Sequence, residues 1–292
     1  MSFFVMTDTS ANLPTEIVEK NDIKVIPFSY FADGKKDECL DTTAFDGKSF
    51  YNEMKSGVKM TTSQINPQKY KEFLEEPLKS GNDAIYISMS SGISGSYHSA
   101  CLAAEQLEEK YPDRKIVLID TLGASLGEGL LVLKAVQCKN EGMSIEETAE
   151  CLTQMRDRMY QVFTVDNLMY LKRSGRVSGT TAIVGTALQI KPLLKGNEEG
   201  KIVNFGRVRG RKKAIEALAQ KYETLVKNPE NQTVGIAHAD CEEDAKYLEE
   251  LLRKNNPPKE ILTVWYEPVT GSHVGPGTLA LFFESEHGVR SK

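Results

Sequence analysis

Hydrophobic positions in the first half of the chain switch repeatedly between a short run and a three-to-four residue spacing, which is the signature of strands alternating with helices. Strands are predicted over residues 3–7, 24–31, 84–87 and 115–119. Helices are predicted from Asn66-Pro67 to about residue 80, over 97–110, over about 123–140, and from Ser144 to about residue 158. Two of those starts carry a physical signal. Asn66 can accept from the first free N–H groups while Pro67 has none to lose, and Ser144-Ile145-Glu146-Glu147 has the capping-box spacing. Such alternation implies a mostly parallel sheet covered on both faces, with ligands beyond the carboxyl ends of its strands.

The second half has another rhythm. Strands are predicted over 162–165, 201–208, 233–238, 260–267 and 278–284, and helices over 211–226 and 241–254. Two consecutive strands at the end suggest antiparallel pairing. The expected fold is therefore α/β in two domains, an N-terminal mostly parallel α/β domain (1–158) and a C-terminal α+β domain with a mixed or antiparallel sheet (159–292). Between them, 177–194 is weakly polar, with small residues at Gly179, Ala182, Gly185 and Ala187.

Composition narrows the class. The 292 residues are 40% hydrophobic and 26% charged, as in globular proteins, and 36 Lys+Arg against 41 Asp+Glu give a net charge of −5. That balance argues against nucleic acid as the main partner. The five cysteines are scattered without a CxxC pair, so reduced thiols are expected, with no disulfide framework and no metal site. The first eight residues lack a basic segment and meet Asp8 early, so no signal peptide is expected, and no apolar run approaches a membrane span. A cytoplasmic protein is the expectation.

The chemistry-bearing feature is a pair of hydroxyl clusters, Thr61-Thr62-Ser63 and Ser88-Met89-Ser90-Ser91-Gly92-Ile93-Ser94-Gly95-Ser96. The second lies between a predicted strand and a predicted helix, where N–H groups and hydroxyls converge on an anion. Nucleotide and nucleophile signatures fail nearby. Thr42 stands where a P-loop ending in Gly47-Lys48-Ser49 needs glycine, so a solvated helix start is expected there. Val132 replaces the third glycine of a dinucleotide fingerprint at Gly127-Glu128-Gly129, which reads as a helix packing site. Ser96 replaces the final glycine of a nucleophile elbow at Ser94. The basic run from Arg207 to Lys213 reads as a strand end and a solvated helix turn, with phosphate or partner docking left open. His98 and His287 read as surface residues, and His238 as equally structural or functional. His273 sits in a glycine-rich loop, 271–277, that would let backbone approach a ligand. The arginines of Leu171-Lys172-Arg173-Ser174-Gly175-Arg176 are either a phosphate fork or a solvated helix end.

Taken in order, these segments resemble the DegV family, the fatty-acid-binding proteins that serve bacterial fatty acid kinase. The matching motifs run from Thr7-Asp8-Thr9-Ser10-Ala11-Asn12-Leu13-Pro14 through Thr62-Ser63-Gln64, Ser90-to-Tyr97, Asp120-Thr121, Leu168-to-Arg176 and Ile190-Lys191-Pro192-Leu193 to Gly271-to-Gly277. Ile65, Ser174 and Ser96 depart from the family's usual proline, glycine and threonine at their positions. The resemblance implies a long-chain fatty acid such as palmitate or oleate held between the domains, with no other cofactor. It places the carboxylate contacts on Thr62 and Ser94, with Thr61, Ser63, Gly95 and Ser96 nearby. It leaves His273, Arg173 and Arg209 as residues facing the headgroup or a kinase. A separate ATP-dependent fatty acid kinase subunit would phosphorylate the carboxylate, making this chain a non-catalytic carrier in phospholipid metabolism, with transient contact with a membrane surface allowed. Part of the tunnel wall is expected in 177–194. The alternative is a stand-alone acyl-phosphate or ester hydrolase with Ser94 as nucleophile and His273 as base, against which the missing elbow glycine counts.

Overall fold

The structure, a computed structural model, describes residues 3–177, 189–288 and 290. Strand β1 (Phe3–Asp8) turns through a 3-10 helix (Thr9–Ala11) into α1 (Thr15–Lys20) and β2 (Lys24–Ile26). Next come β3 (Ser29–Ala32), β4 (Lys35–Glu38), α2 (Gly47–Ser56) and β5 (Met60–Ser63). The first half closes with α3 (Pro67–Lys79), β6 (Asp83–Ser88), α4 (Ser96–Lys110), β7 (Ile116–Asp120), α5 (Leu126–Asn140) and α6 (Ile145–Arg158).

Local chemistry sets these starts. Asp46, Asn66 and Ser144 each accept a hydrogen bond from the backbone N–H three residues on, and Glu147 completes the capping box at Ser144. Strands β2, β1, β6 and β7 form, in that order, a wholly parallel sheet. The single strand expected over 24–31 is in fact two, in different sheets. Pro27 has no N–H for a ladder, and after it Phe28 N–H donates instead to Thr9 Oγ1 at 3.1 Å. The chain then leaves the parallel sheet and builds a separate antiparallel one, β4-β3-β5.

The second half runs β8 (Met159–Thr164), α7 (Met169–Arg173), β9 (Ile190–Gly196), β10 (Ile202–Arg209), α8 (Arg211–Leu225) and β11 (Thr233–His238). It ends with α9 (Glu242–Asn255), β12 (Glu260–Trp265), α10 (Pro268–Val274) and β13 (Leu279–Glu284). Its six-stranded sheet has the order β10-β9-β8-β13-β11-β12 and is mixed, because β11 and β12 are parallel while the other pairs are antiparallel. The last two strands do not pair with each other as expected. Helix α10 intervenes, and β12 and β13 flank β11 on opposite sides. The stretch expected to be a glycine-rich loop is thereby split between the end of α10 and the turn after it.

Helix α5 joins the two halves. It packs on β1 and β6 of the parallel sheet and also on β8, β11 and β13 of the mixed sheet. That position explains why it is apolar on nearly every side and buries Leu126, Leu130, Leu131 and Val132. Its glycines permit the approach: a Cβ on Gly129 would stand 2.4 Å from the Ala11 carbonyl oxygen, and one on Gly127 would stand 2.4 Å from Gln161 Oε1. One hydrophobic core consequently includes Ile87 from the parallel sheet, Leu126, and Phe163 and Phe282 from the mixed sheet.

Candidate functional site

The two hydroxyl clusters, about thirty residues apart in the chain, dock against each other. Thr61, Thr62 and Ser63 belong to strand β5, whose ladder to β3 sets Thr62 opposite Tyr30. Ser94 to Ser96 form the turn from β6 into α4, with Ser94 N–H bonded to the Ser90 carbonyl at 3.1 Å and Ser96 N–H to Ser94 Oγ at 3.2 Å. Ile65 N–H donates to Ser96 Oγ at 3.1 Å, which ties the two segments together. At Gly95 the contact is so close that a Cβ would stand 2.3 Å from Gln64 Oε1. Helix α10 supplies the third wall. Its start is fixed by Glu267, which accepts from Val269 N–H at 2.5 Å and Thr270 N–H at 2.7 Å, and its last turn brings His273 Nε2 to 2.8 Å from Thr62 Oγ1.

These elements line a cavity of about 180 Å³ that is partly open to solvent. One part of the wall is polar: Thr62, Ser63, Ser94, Gly95, Arg176 and His273. The rest is mostly apolar, with Phe28, Met89, Phe163, Leu171, Ile202 and Phe282 beside a few polar side chains, Gln64, Ser125, Gln161 and Thr270. Thr62, Arg176 and His273 also line a neighbouring outer groove together with Thr61, Lys55, Lys59 and Arg173. The polar end of the cavity therefore stands next to a basic surface.

Charge at that end comes from Arg176. Its Nε donates to the Ile93 carbonyl at 3.3 Å and its Nη1 to the Ser174 carbonyl. Arg173, on α7, is exposed in the outer groove, whereas Gly175 turns the chain with φ of +72° and sends Arg176 inward. His273 is neutral near pH 7, because burial, reinforced by the Arg176 charge, pushes it down to about 4. The arrangement offers one permanent cation, three hydroxyls and a neutral imidazole to an anion that has an apolar body.

Of the residues singled out from sequence, Thr62, Ser63, Ser94, Gly95 and His273 line the cavity. Thr61 is exposed on the groove side, and Ser96 is buried behind the wall as the acceptor for Ile65. Arg209 is exposed at the end of β10, away from the cavity lining. Most of the expected 177–194 wall, including Gly179, Ala182, Gly185 and Ala187, lies outside the described residues. Sequence reasoning did not single out Gln161 or the 122–125 turn, which also line the cavity. Leu122 and Ser125 have φ of 52° and 54°, rare for residues with a Cβ. The turn is held by Gln161 Oε1, which accepts from Ala124 N–H at 3.3 Å, and by Arg290 Nη1, which donates to the Leu122 carbonyl at 2.7 Å. Ser94 and His273 do not form a nucleophile–base pair, since His273 Nε2 is engaged by Thr62 and its low basicity suits it poorly to deprotonate a hydroxyl. Among the described residues, no group of three or more His, Cys, Asp or Glu side chains is placed to hold a metal ion, and no helix is long and apolar enough to cross a membrane.

Comparison with known proteins matches residues 2–286 to the DegV family, described as uncharacterised proteins. A DegV domain-containing protein of Clostridium perfringens is 42% identical over 283 residues, covering 96% of this chain and 97% of its own. A solved DegV family protein from Thermus thermophilus, described for its fatty acid binding, superposes with a TM-score of 0.88 at 28% identity, over 98% of this chain and all (100%) of the other. DegV from Bacillus subtilis, described as a fatty acid binding protein, gives a TM-score of 0.82 at 31% identity, over 97% of this chain and 98% of the other. The chain belongs to the DegV family.

Proposed function

We propose that this protein binds a long-chain fatty acid between an N-terminal domain (1–158) and a C-terminal domain (159–292) and presents its carboxylate to a separate ATP-dependent kinase for conversion to an acyl phosphate. The observation that carries the reading is the division of one cavity into a polar end at Thr62, Ser94, Arg176 and His273 and an apolar body. Solved relatives from Thermus thermophilus and Bacillus subtilis are described as binding fatty acids, which supports the same ligand class here. In this reading the Thr62 and Ser94 hydroxyls and the Arg176 guanidinium hold the carboxylate. His273 orients Thr62. The basic outer groove next to that end is where a kinase would reach the headgroup, and a cytoplasmic location follows from the ATP it uses.

The magnitudes assign the labour. Burying roughly 15 methylenes at about 0.8 kcal/mol each supplies on the order of 12 kcal/mol before the costs of binding. Hydrogen bonds to a charged group add about 1.5–3 kcal/mol each. The tail provides most of the affinity and the polar end decides which way the molecule lies. Hydroxyl donors also suit a ligand whose headgroup changes charge during the reaction, since they bind either state without the strong preference of a paired arginine fork. The chain itself supplies no catalytic group in this scheme.

Native mass spectrometry of the purified protein is expected to release a long-chain fatty acid. A protein that carries none and ignores added palmitate would refute the proposal. Ser94→Ala should weaken palmitate binding and reduce phosphorylation by the partner kinase while leaving the melting temperature nearly unchanged. Unaltered binding and phosphorylation in that variant would place the headgroup elsewhere.

A further inference from the structure

Behind the cavity wall, two fully buried carboxyls meet on one hydroxyl. Ser10 Oγ lies 2.5 Å from Asp8 Oδ1 and 2.6 Å from Glu128 Oε2. Thr7 Oγ1 lies 3.0 Å from Glu128 Oε1 and 2.9 Å from the Ile87 carbonyl oxygen. On the far side of Asp8, its Oδ2 accepts from Tyr86 OH at 2.8 Å, and Tyr86 OH meets Tyr70 OH at 2.8 Å. Asp8, Ser10 and Glu128 each show no exposed surface (0%), so water cannot fill a missing contact from outside.

Counting hydrogens decides the protonation. Each of these oxygen–oxygen contacts needs one hydrogen, and a hydroxyl has one to give. A carbonyl only accepts, so the Thr7 hydroxyl hydrogen points at Ile87. The contact from Thr7 Oγ1 to Glu128 Oε1 is then a hydrogen bond only if the carboxyl donates. Ser10 likewise faces two carboxyl oxygens with a single hydrogen. A proton on Glu128 Oε1 completes the Glu128 side: Glu128 donates to Thr7, Thr7 donates to Ile87, and the Ser10 hydroxyl donates to Glu128 Oε2, which leaves the 2.5 Å contact between Ser10 Oγ and Asp8 Oδ1 to a second proton, on Asp8.

We propose that Glu128 is protonated in the folded protein at neutral pH and that this proton latches the β1 end and its 3-10 turn to helix α5. The latch reaches the ligand site through Asp8, whose Oδ2 also accepts from Met89 N–H at 3.3 Å, at the start of the segment that carries Ile93 and Ser94 into the cavity wall. The surrounding charges agree. Burial raises Glu128 well above the usual carboxylate value, the charges that act most strongly on it are those of Asp8 and Glu267, and burial raises Asp8 as well. Other titratable groups on the packed elements include Tyr86 on β6, Tyr70 on α3, Glu267 before α10, His238 on β11, which lies against Trp265, and Cys151 on α6, which meets Cys138 of α5, while the α6 cations Arg156 and Arg158 are bound to Asp157 and Glu284. None of these places a cation against Glu128.

The consequence is a stability that falls as pH rises. An acid whose folded pKa is raised stabilises the fold fully below its unfolded value, 4.5, and loses that contribution as pH climbs toward the folded value. One retained proton lowers the folding equilibrium constant roughly tenfold per pH unit. The test is denaturant unfolding of the whole chain between about pH 7 and 8.5, read as the difference in slope between wild type and Glu128→Gln, so that groups titrating in both proteins, Glu267 (raised to about 7) among them, cancel. Glu128→Gln is the informative variant, because an amide N–H₂ in place of Oε1 donates to Thr7 as the protonated acid does. It should match or exceed the wild type at pH 7 and flatten the pH slope by one proton, whereas Glu128→Ala should lose stability throughout. Infrared spectra at pH 8 should contain protonated-carboxyl C=O absorption that loses intensity in Glu128→Gln. Identical slopes in wild type and Glu128→Gln, a Gln variant as damaged as the Ala variant at pH 7, or no loss of protonated-carboxyl absorption in Glu128→Gln would each overturn the proposal.

Discussion

Replacing Arg176 with methionine separates the headgroup's electrostatics from the tail's burial. Methionine keeps an unbranched apolar stem against the cavity and removes the guanidinium. The arginine stands at the polar end with Thr62, Ser94 and His273, and its charge is partly stripped of water, which lowers its own basicity. A hydrogen bond from such a group to a carboxylate contributes about 1.5–3 kcal/mol, so palmitate affinity should fall roughly 10- to 150-fold in Arg176→Met. The assay is displacement of a fluorescent fatty acid by palmitate and, in parallel, by hexadecanol. The alcohol buries the same tail without a charge, so its affinity should change little. Equal losses for acid and alcohol would mean that the substitution damaged the cavity's shape, and an unchanged palmitate affinity would refute Arg176 as the carboxylate's counter-charge. A second readout comes from His273. Removing the Arg176 charge takes away the lesser of the two causes that depress it, so its titration by NMR should move upward while burial still holds it below 6.5.

Two further outcomes follow from the geometry. Gly92→Ala should destabilise the protein by about 1–3 kcal/mol, read by denaturant unfolding, because the new Cβ would stand 2.2 Å from the Glu199 carbonyl oxygen, a backbone atom that cannot swing aside. Wild-type stability in the variant would mean that the Gly92–Gly200 contact between the two halves is loose. His273 has its folded value pushed from 6.5 down to about 4, so its contribution is complete above 6.5 and is lost as pH falls toward 4, a change of roughly 3 kcal/mol. His273→Asn should show a shallower loss of stability over that interval, and parallel acid limbs would show that His273 is not the titrating group.

Much of the secondary structure is legible in the sequence because its signals are local. Asn66-Pro67 and the Ser144 capping box announce helix starts through bonds made within three residues. The Gly127-Glu128-Gly129 step reads as a packing site, and the structure shows what packs there: Gln161 on one side and Ala11 on the other. The glutamate between those glycines gives no such sign, since a charged letter in a helix is ordinarily solvated and only the packing of α5 on β1 and the 3-10 turn covers it. The split of 24–31 follows from Pro27, but the destination of β3, a separate antiparallel sheet, depends on partners as far along the chain as Ser63, which pairs with Ser29. Arg173 and Arg176 look equivalent in a basic run. A single left-handed glycine between them sends one to the surface and the other to the cavity.

The sequence by itself determined the alternating elements, the two-part α/β architecture and the presence of two hydroxyl clusters, because period, capping and residue type act over a few neighbours. The tertiary structure alone decided that α5 lies between two sheets, that the clusters meet across Gly95 and Gln64, and that His273 closes on Thr62 from a helix near the far end of the chain. Those facts depend on which surfaces exclude water together, and that is a property of the packed chain rather than of any segment within it.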